Sequence, residues 1–213
     1  MSQIKLKHSG GNSVIIAAPD SNPASDRTLK LPSNADGTVL TTTNPKSGNI
    51  IQVVNMVKTD TVSLTMTTSF QDVSGFTISI TPTAANSKII LAGSIVVASR
   101  TNYAFGKFLR SINGGTYASP TGWRGDAAGN RSQSQLGSIY RSFSGGDSYV
   151  SSPMAVYAVD TDHNTTNSIT YKLEYKTSSG SSSVIYFNRS SADANDSNGG
   201  RSCSHLTLME VAA

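Results

Sequence analysis

Two consecutive apolar segments constrain the fold more strongly than any other part of the sequence. In the first, Phe76, Ile78 and Ile80 alternate with threonine and serine, which predicts a half-buried β-strand that Pro82 ends. In the second, residues 88–98, apolar side chains occupy both faces of the predicted strand. One face of an antiparallel sandwich normally contacts water. The second strand therefore lies either at the centre of its domain or against another subunit.

Similar segments recur to the end of the chain. In residues 168–176 apolar and aromatic side chains alternate with Thr, Lys and Glu, whereas residues 205–211 are apolar on both faces. No segment has the pattern of an amphipathic helix. The sequence therefore predicts an all-β fold, a two-sheet jelly-roll sandwich of roughly eight to ten strands. The predicted strands cover residues 50–57, 76–80, 88–98, 104–112, 135–143, 152–159, 168–176, 184–187 and 205–211, and the Thr-rich residues 61–68 are either a connection or a further strand.

The composition argues against several classes of function. Charged residues make up only 14% of the chain, and the net charge of +4 comes from scattered Lys and Arg without interleaved aromatic residues, so no nucleic-acid groove is expected. The single cysteine, Cys203, has no partner for a disulfide or a thiolate metal site. Because no apolar run has the length of a membrane span or a signal peptide, we expect no membrane insertion and synthesis in a cytosol.

The first 47 residues differ in kind from the rest of the chain. Their large apolar residues occur in short clusters, separated by Gly, Pro, Asn and Asp, and are too few to enclose a core. Such segments stay disordered, dock on another protein or wrap around copies of themselves. The alternation and the turn residues favour short strands over a linker. We therefore place a domain boundary between an N-terminal segment, residues 1–47, and a C-terminal domain, residues 48–213.

The N-terminal segment resembles a known family. It contains Ile-Ile-Ala-Ala-Pro at 15–19, Thr-Leu-Lys-Leu-Pro at 28–32 and Asp-Gly-Thr-Val-Leu at 36–40. This spacing is similar to that in fibre and tail-fibre proteins of tailed bacteriophages, particularly marine ones, and the resemblance covers residues 1–45. It implies a virion protein whose N-terminus forms an extended, intertwined trimeric β neck and docks on tail, adaptor or capsid proteins. The apolar residues expected to make that attachment are Ile4, Leu6, Val14 and Ile16.

The C-terminal domain resembles a second family. The stretch 70–82, the strand start Ser-Lys-Ile-Ile-Leu at 87–91 and the terminal Leu-Thr-Leu-Met-Glu at 206–210 look like the tumour-necrosis-factor-like knob of many phage structural proteins. In that fold the last strand lies near a threefold axis. The resemblance therefore implies a homotrimer, and the residues expected to line its axis are Ile90, Val96, Leu206, Leu208 and Met209.

No motif in the sequence indicates catalysis or metal binding. The three histidines are far apart, and no nucleophile elbow is present. Residues 193–200 are rich in Asp, Asn and Gly, but their spacing does not fit a calcium loop, and a surface turn is predicted. The only glutamates, Glu174 and Glu210, lie on separate predicted strands and do not form the acid pair of a glycosidase. We predict no enzymatic activity, no metal and no cofactor.

Aromatic and basic residues on loops are the best candidates for recognising a ligand, because they supply contact area at low entropic cost. For Trp123 the alternative is burial at the end of the sandwich. The tripeptide Arg124-Gly125-Asp126 is interpreted as part of a flexible loop. The candidates for binding a host-surface glycan or protein are Tyr117, Trp123, Arg124, Arg131 and Tyr149.

Two functions remain open at this point. One is a trimeric fibre or appendage that docks on the particle through its N-terminus and takes part in host-surface recognition through its knob. The other is a head fibre or capsid decoration trimer with a purely architectural role. A polysaccharide-cleaving tailspike is disfavoured because the chain is short and has neither β-helix repeats nor an acid pair. In each case the protein is expected in the virion, after synthesis in the cytoplasm of a host bacterium.

Overall fold

β-strands form nearly all of the regular secondary structure. The computed structural model describes residues 3–17, 20–21, 23, 45–99, 102–139, 147–179 and 183–213. In these residues there is no α-helix, and one 3-10 turn covers Asp147–Tyr149. For the described residues, the prediction of an all-β fold is confirmed. The strands are β1 (Gln3–Lys7), β2 (Ser13–Ala17), β3 (Ile50–Lys58), β4 (Val62–Met66), β5 (Gln71–Ile80), β6 (Lys88–Ser99), β7 (Ala104–Ile112), β8 (Leu136–Ile139), β9 (Ser152–Asp160), β10 (Ile169–Thr177), β11 (Ser183–Phe187) and β12 (Ser204–Val211).

The chain divides into two units, and the first, Met1–Val39, contains an antiparallel hairpin of β1 and β2. The register pairs Ile4 with Ile16, and these two side chains and Leu6 are 62%, 60% and 58% exposed. A two-stranded hairpin buries too little apolar surface to be stable alone, so these side chains are available to a partner. The side chain of Val14 lies outside the described residues, as do residues 24–44 of the predicted neck. The intertwined neck stays a prediction.

The second unit, Leu40–Ala213, is built from two antiparallel sheets. One sheet has the order β5-β10-β7-β8, and the other has the order β3-β12-β6-β11-β4, with β9 paired to β6 on the other side of that strand. The pairings are nested: β3 pairs with β12, β4 with β11, β5 with β10, β6 with β9 and β7 with β8. The whole domain therefore has the connectivity of one long hairpin whose two arms are distributed between two sheets.

The hydrophobic core lies between these sheets, as the alternation in the sequence predicts. In β10 every second residue is buried, and in β6 the odd-numbered residues face inward. Burial of a large apolar side chain stabilises the fold by about 1.5–3 kcal/mol. The largest completely buried side chains are Tyr171, Tyr175, Phe76, Phe108, Phe187, Met66, Ile89, Leu91, Ile95, Ile169, Leu173 and Ile185.

Special backbone positions occur where strands turn or approach closely. Asn113 and Gly114 have φ angles of 50° and 73°, and the amide of Gly115 donates to the Ile112 carbonyl at 2.9 Å. Two successive positive φ angles define the tight hairpin turn that the Asn-Gly pair predicts. In the middle of β6, Gly93 has a φ of 154° and lies against the backbone of β12, where there is no space for a side chain.

A buried asparagine holds three parts of the domain together. Asn188 has a φ of 60° and is fully buried. Its side-chain amide donates to the carbonyls of Lys58 and Asp60, both at 2.9 Å, and its oxygen accepts from the Ser204 hydroxyl at 2.5 Å. Because all its polar atoms are used inside the fold, Asn188 is a structural residue, although it begins an Asn-Arg-Ser glycosylation sequon.

Candidate interaction surface

The outer face of the larger sheet carries aligned apolar residues. Across four adjacent strands the register places Val53, Met209, Ile90 and Val159 side by side in one row. All four lie at positions that point away from the core, because their neighbours Val54, Leu208, Leu91 and Ala158 pack in the core or against it. The sheet therefore presents a continuous apolar row on the side opposite its core.

Two further rows continue the same surface. The second contains Asn55, Thr207, Ala92 and Tyr157, and the third contains Val57, His205, Ser94 and Ala155. Together the three rows contain twelve residues without a single Asp, Glu, Lys or Arg; we call these twelve residues the outer apolar face. The first charged residue on the same side of β6 is Lys88, beyond the first row.

Several members of the outer apolar face are strongly exposed in the single chain. Tyr157 is 71% exposed, Val57 57% and Val53 53%. Strands lie about 4.8 Å apart and same-face residues about 7 Å apart, so the twelve positions span roughly 400 Å². Eight of the twelve residues are apolar, and the largest apolar patch on a soluble monomer is often a functional site. The outer apolar face is therefore the strongest candidate surface for a protein partner.

The five residues predicted to line a trimer axis fall on different sides of the sheet. Met209 and Ile90 belong to the outer apolar face and are half-buried. Val96 lies on the same side but is only 8% exposed in the single chain. Leu206 and Leu208 are completely buried in the core between the sheets, which corrects their predicted place on the axis. The two apolar faces of β12 thus have different neighbours: one packs in the core, and the other is open.

Trp123 also needs correction as a binding residue. It is only 5% exposed and stacks on Tyr171, with ring centroids 5.5 Å apart. Its indole N–H donates to the Val159 carbonyl at 3.0 Å. Trp123 therefore packs in the core and holds its loop on the sandwich, which is the alternative that the sequence left open.

The other four loop candidates lie apart from one another. The ring of Tyr117 lies under the Lys172 ammonium at 4.3 Å, and the hydroxyl of Tyr149 donates to Asp196 at 3.2 Å. Arg124 and Arg131 are exposed. Arg124 borders a depression beside Tyr157, whereas Arg131 borders a groove with Phe105 and Lys176. The structure thus brings the five candidates into no common site.

Sequence reasoning missed a charged network beside Trp123. One Arg110 nitrogen donates to Asp160 and to Asp162, both at 2.6 Å, and the Tyr171 hydroxyl donates to Asp160 at 2.7 Å. Burial and the negative charge of Asp160 raise the pKa of Tyr171. A hydrogen bond from Thr121 and the Arg110 guanidinium outweigh burial and hold the pKa of Asp162 well below its usual range.

The function of this network is structural. Asp160 is 1% exposed, and its carboxylate is fully occupied by hydrogen bonds within the fold. A signal was present in the sequence, because Arg110 stands at an inward position of the predicted strand 104–112, and a buried cation requires a buried acid.

The described part of the chain offers no metal-binding arrangement. Nowhere in it do three or more His, Cys, Asp or Glu side chains meet in a way that could hold an ion. In the loop 193–200, Asp193 pairs with Arg201 at 2.5 Å, and Asp196 accepts hydrogen bonds from Asn198 and Tyr149. Among the described helical segments, none has the length and hydrophobicity to cross a membrane.

Comparisons with known proteins do not assign a family. No protein family matches the sequence, and no curated protein is similar to it. Solved structures with some similarity include that of the infectious bursal disease virus Gx strain, at 14% identity and a TM-score of 0.38, covering 94% of this chain and 51% of that one. The VP2 subviral particle of the same virus gives 14% identity and a TM-score of 0.39, covering 94% and 47%. This chain thus spans about half the length of those proteins.

Proposed function

We propose that the chain is a non-enzymatic structural protein of a virion, a homotrimeric fibre or appendage. Its sandwich is a jelly roll, which the nested pairing of β3 to β12 supports. The resemblance of residues 1–45 to phage fibre proteins supports the virion location. The N-terminal hairpin docks on other virion proteins, and the exposed domain takes part in host-surface recognition.

The observation that carries this proposal is the outer apolar face. Its first row, Val53-Met209-Ile90-Val159, includes Ile90 and Met209, two of the three predicted axis residues on the outer side of the sheet. Around a threefold axis, three copies of this uncharged face approach one another without placing like charges together. Roughly 400 Å² is smaller than the approximately 800 Å² per partner of a standard interface, so the contact must extend beyond the three rows.

Two neighbouring residues on β12 provide the test of trimer formation. Light scattering of the wild-type chain should give a molar mass near three times the chain mass of 22.3 kDa. Met209→Asp places a charge on the outer apolar face and should give a folded monomer, with a cooperative unfolding transition by circular dichroism. Leu208→Asp buries a charge in the core and should prevent folding itself.

A control and a second variant make the outcome decisive. Thr77→Asp, at an exposed position on the other sheet, should remain trimeric. If Met209→Asp does not fold, Val53→Asp at a more exposed position of the same row gives the same test. A monomeric wild-type chain, or trimers from both Met209→Asp and Val53→Asp, would contradict the proposed interface.

Cryo-electron microscopy of particles distinguishes a host-attachment fibre from a head fibre or capsid decoration. Density at the tail with the sandwich pointing outward supports attachment, whereas trimers standing on the shell support the architectural role. Deletion of residues 1–45 should leave a folded trimer that no longer enters particles. Unfolding of that shortened chain would show that the N-terminal segment is needed for the sandwich itself.

A further inference from the structure

A groove of about 440 Å³ lies at the end of the smaller sheet, away from the larger sheet's outer apolar face. Phe105 on β7 and Lys176 on β10 are paired in the sheet register and border it on one side. Arg131, from the loop before β8, also lines it. Sites for small ligands typically have volumes of about 300–1,000 Å³. The remaining lining residues are polar and uncharged: Thr68, Asn130, Ser132, Thr177 and Ser178.

The two cations of this groove lack acidic partners. Elsewhere on the same sheet the basic residues are neutralised: Lys107 pairs with Glu174 at 3.2 Å, and Lys172 pairs with Asp72 and Glu174. Among the described residues, neither Arg131 nor Lys176 forms an ion pair. The groove therefore combines two positive charges with no acidic lining residue, which favours an anionic ligand.

The loop that carries Arg131 is held in place by hydrogen bonds to the sheet. The Gln135 amide N–H donates to the Gly106 carbonyl at 3.0 Å, and the Phe108 N–H donates to the Gln135 side-chain oxygen at 3.2 Å. Within the loop, the Gly125 N–H donates to the Ser134 carbonyl at 3.2 Å. The loop position is thus fixed before a ligand arrives, which lowers the entropic cost of binding.

Aromatic rings position the second cation and supply an apolar surface. The Lys176 ammonium lies 5.1 Å from the centre of the Phe70 ring, which limits its movement. Phe105 lines the groove itself and is half-buried. Sugar rings pack their C–H faces on such aromatic side chains, while hydroxyl and amide groups such as those of Ser132 and Asn130 bind sugar hydroxyls.

We propose that this groove binds a saccharide that carries a carboxylate or a phosphate. Arg131 contacts the anionic group with two parallel N–H donors, Lys176 provides the second charge, and Phe105 packs against the sugar ring. The proposal rests on the proposed host-surface role, since it names the class of ligand that the exposed domain recognises. It selects Arg131 from the loop candidates and adds Lys176 and Phe105, which the sequence did not indicate.

The test uses calorimetry on the full chain with three defined probes. Tetragalacturonate presents carboxylates, mannose 6-phosphate presents a phosphate, and maltotetraose is the neutral control. At least one anionic probe should bind about tenfold or more tightly than maltotetraose, and its affinity should fall with rising salt. The stronger of the two anionic probes then identifies the anionic group. Absence of binding by both anionic probes at millimolar concentration would overturn the proposal.

Variants then assign the binding to this groove. Arg131→Met and Lys176→Met each keep much of the apolar stem and should lower the affinity about tenfold or more, since one charge is lost. Arg131→Lys should recover only part of it, because the paired donors are missing. Lys46→Met removes an exposed charge on another part of the domain and should leave binding unchanged. Equal losses in Lys46→Met, or none in Arg131→Met and Lys176→Met, would contradict the assignment.

Light scattering on the same samples separates this inference from the proposed trimer. If the chain is a trimer but binds neither anionic probe, the proposed structural role is supported and the proposed ligand is contradicted. A monomer whose binding depends on Arg131 and Lys176 retains the site and contradicts the homotrimeric fibre.

Discussion

No cation among the described residues pairs with the buried carboxylate of Glu210. Replacing Glu210 by glutamine therefore tests how hydrogen bonds alone stabilise a charge in this fold. Glu210 is fully buried near the end of β12. One carboxylate oxygen accepts from the Thr83 N–H at 2.8 Å, its hydroxyl at 3.0 Å and the Ala84 N–H at 3.3 Å. The other accepts from the Gln52 side chain at 2.6 Å. The carboxylate thereby connects β12 to β3 and to the turn after β5.

The expected cost follows from these contacts. In Glu210→Gln the amide oxygen can keep the three donors at Thr83 and Ala84, but the new NH₂ group then faces the NH₂ group of Gln52. The Gln52 amide cannot turn over without losing its bond to the Thr81 carbonyl at 2.7 Å. One hydrogen bond to a charged group contributes about 1.5–3 kcal/mol. We therefore expect Glu210→Gln to lower the free energy of unfolding at pH 7 by about 2–3 kcal/mol.

The pH dependence of the free energy of unfolding provides a second, independent test of the role of Glu210. Burial by itself raises the pKa of Glu210, but hydrogen bonds from Gln52 and Thr83 help to outweigh it, so the pKa is lowered. A carboxylate with a lowered pKa stabilises the fold fully above its unfolded pKa of about 4.3, and this contribution is lost as the pH falls toward the folded pKa. The stability difference between wild type and Glu210→Gln should therefore shrink between pH 7 and pH 3.

Urea unfolding followed by fluorescence of the single tryptophan, at one fixed chain concentration, measures both effects. Asp72→Asn is the control, because the Asp72 carboxylate that pairs with Lys172 is 66% exposed. The control should cost about 1 kcal/mol or less at pH 7. A Glu210→Gln cost below about 0.5 kcal/mol, or a difference that stays constant from pH 7 to pH 3, would refute the reasoning.

Two other substitutions test the backbone and the charged network. Gly93→Ala should lower the melting temperature strongly by circular dichroism, because an added Cβ overlaps a backbone carbonyl of β12; an unchanged melting temperature would contradict the close strand approach. Asp160→Asn leaves Arg110 with one partly exposed acidic partner and should cost about 3–5 kcal/mol in urea unfolding. Tyr171→Phe removes only the hydroxyl that donates to Asp160 and should cost about 1–3 kcal/mol. If Tyr171→Phe costs as much as Asp160→Asn or more, the Tyr171 hydrogen bond to Asp160 contributes more to stability than the ion pair of Asp160 with Arg110.

The strand positions were predictable because they depend on local alternation. The predicted strands 88–98 and 168–176 correspond to β6 and β10 within one residue at each end. The Asn113-Gly114 turn was predictable for a similar reason, since its geometry is set by two adjacent residues. The ion pair of Arg110 with Asp160 joins residues 50 positions apart, so the strand pattern indicates that Arg110 needs an acidic partner but not which residue provides it.

The loop residues were harder to assign for a physical reason. A polar segment around an aromatic residue is compatible with exposure or with docking, and only the distant partners decide. Trp123 docks because Tyr171 and the Val159 carbonyl lie where its ring and its N–H reach them. Arg131 is distinguished from Arg124 by its groove with Lys176 and Phe105, and this juxtaposition arises from three separate elements.

The alternation of β12 showed two apolar faces but not which of them faces the core. In the structure Leu208 faces the core and Met209 lies on the opposite face of β12. The smaller sheet offers a comparison within the same molecule. Its outer side carries Lys107, Lys172 and Glu174 in ion pairs. The three rows of the outer apolar face carry no charge at all. Both sheets enclose the same core, so the folding of one chain does not require this difference, whereas the proposed contact of the larger sheet with another copy does.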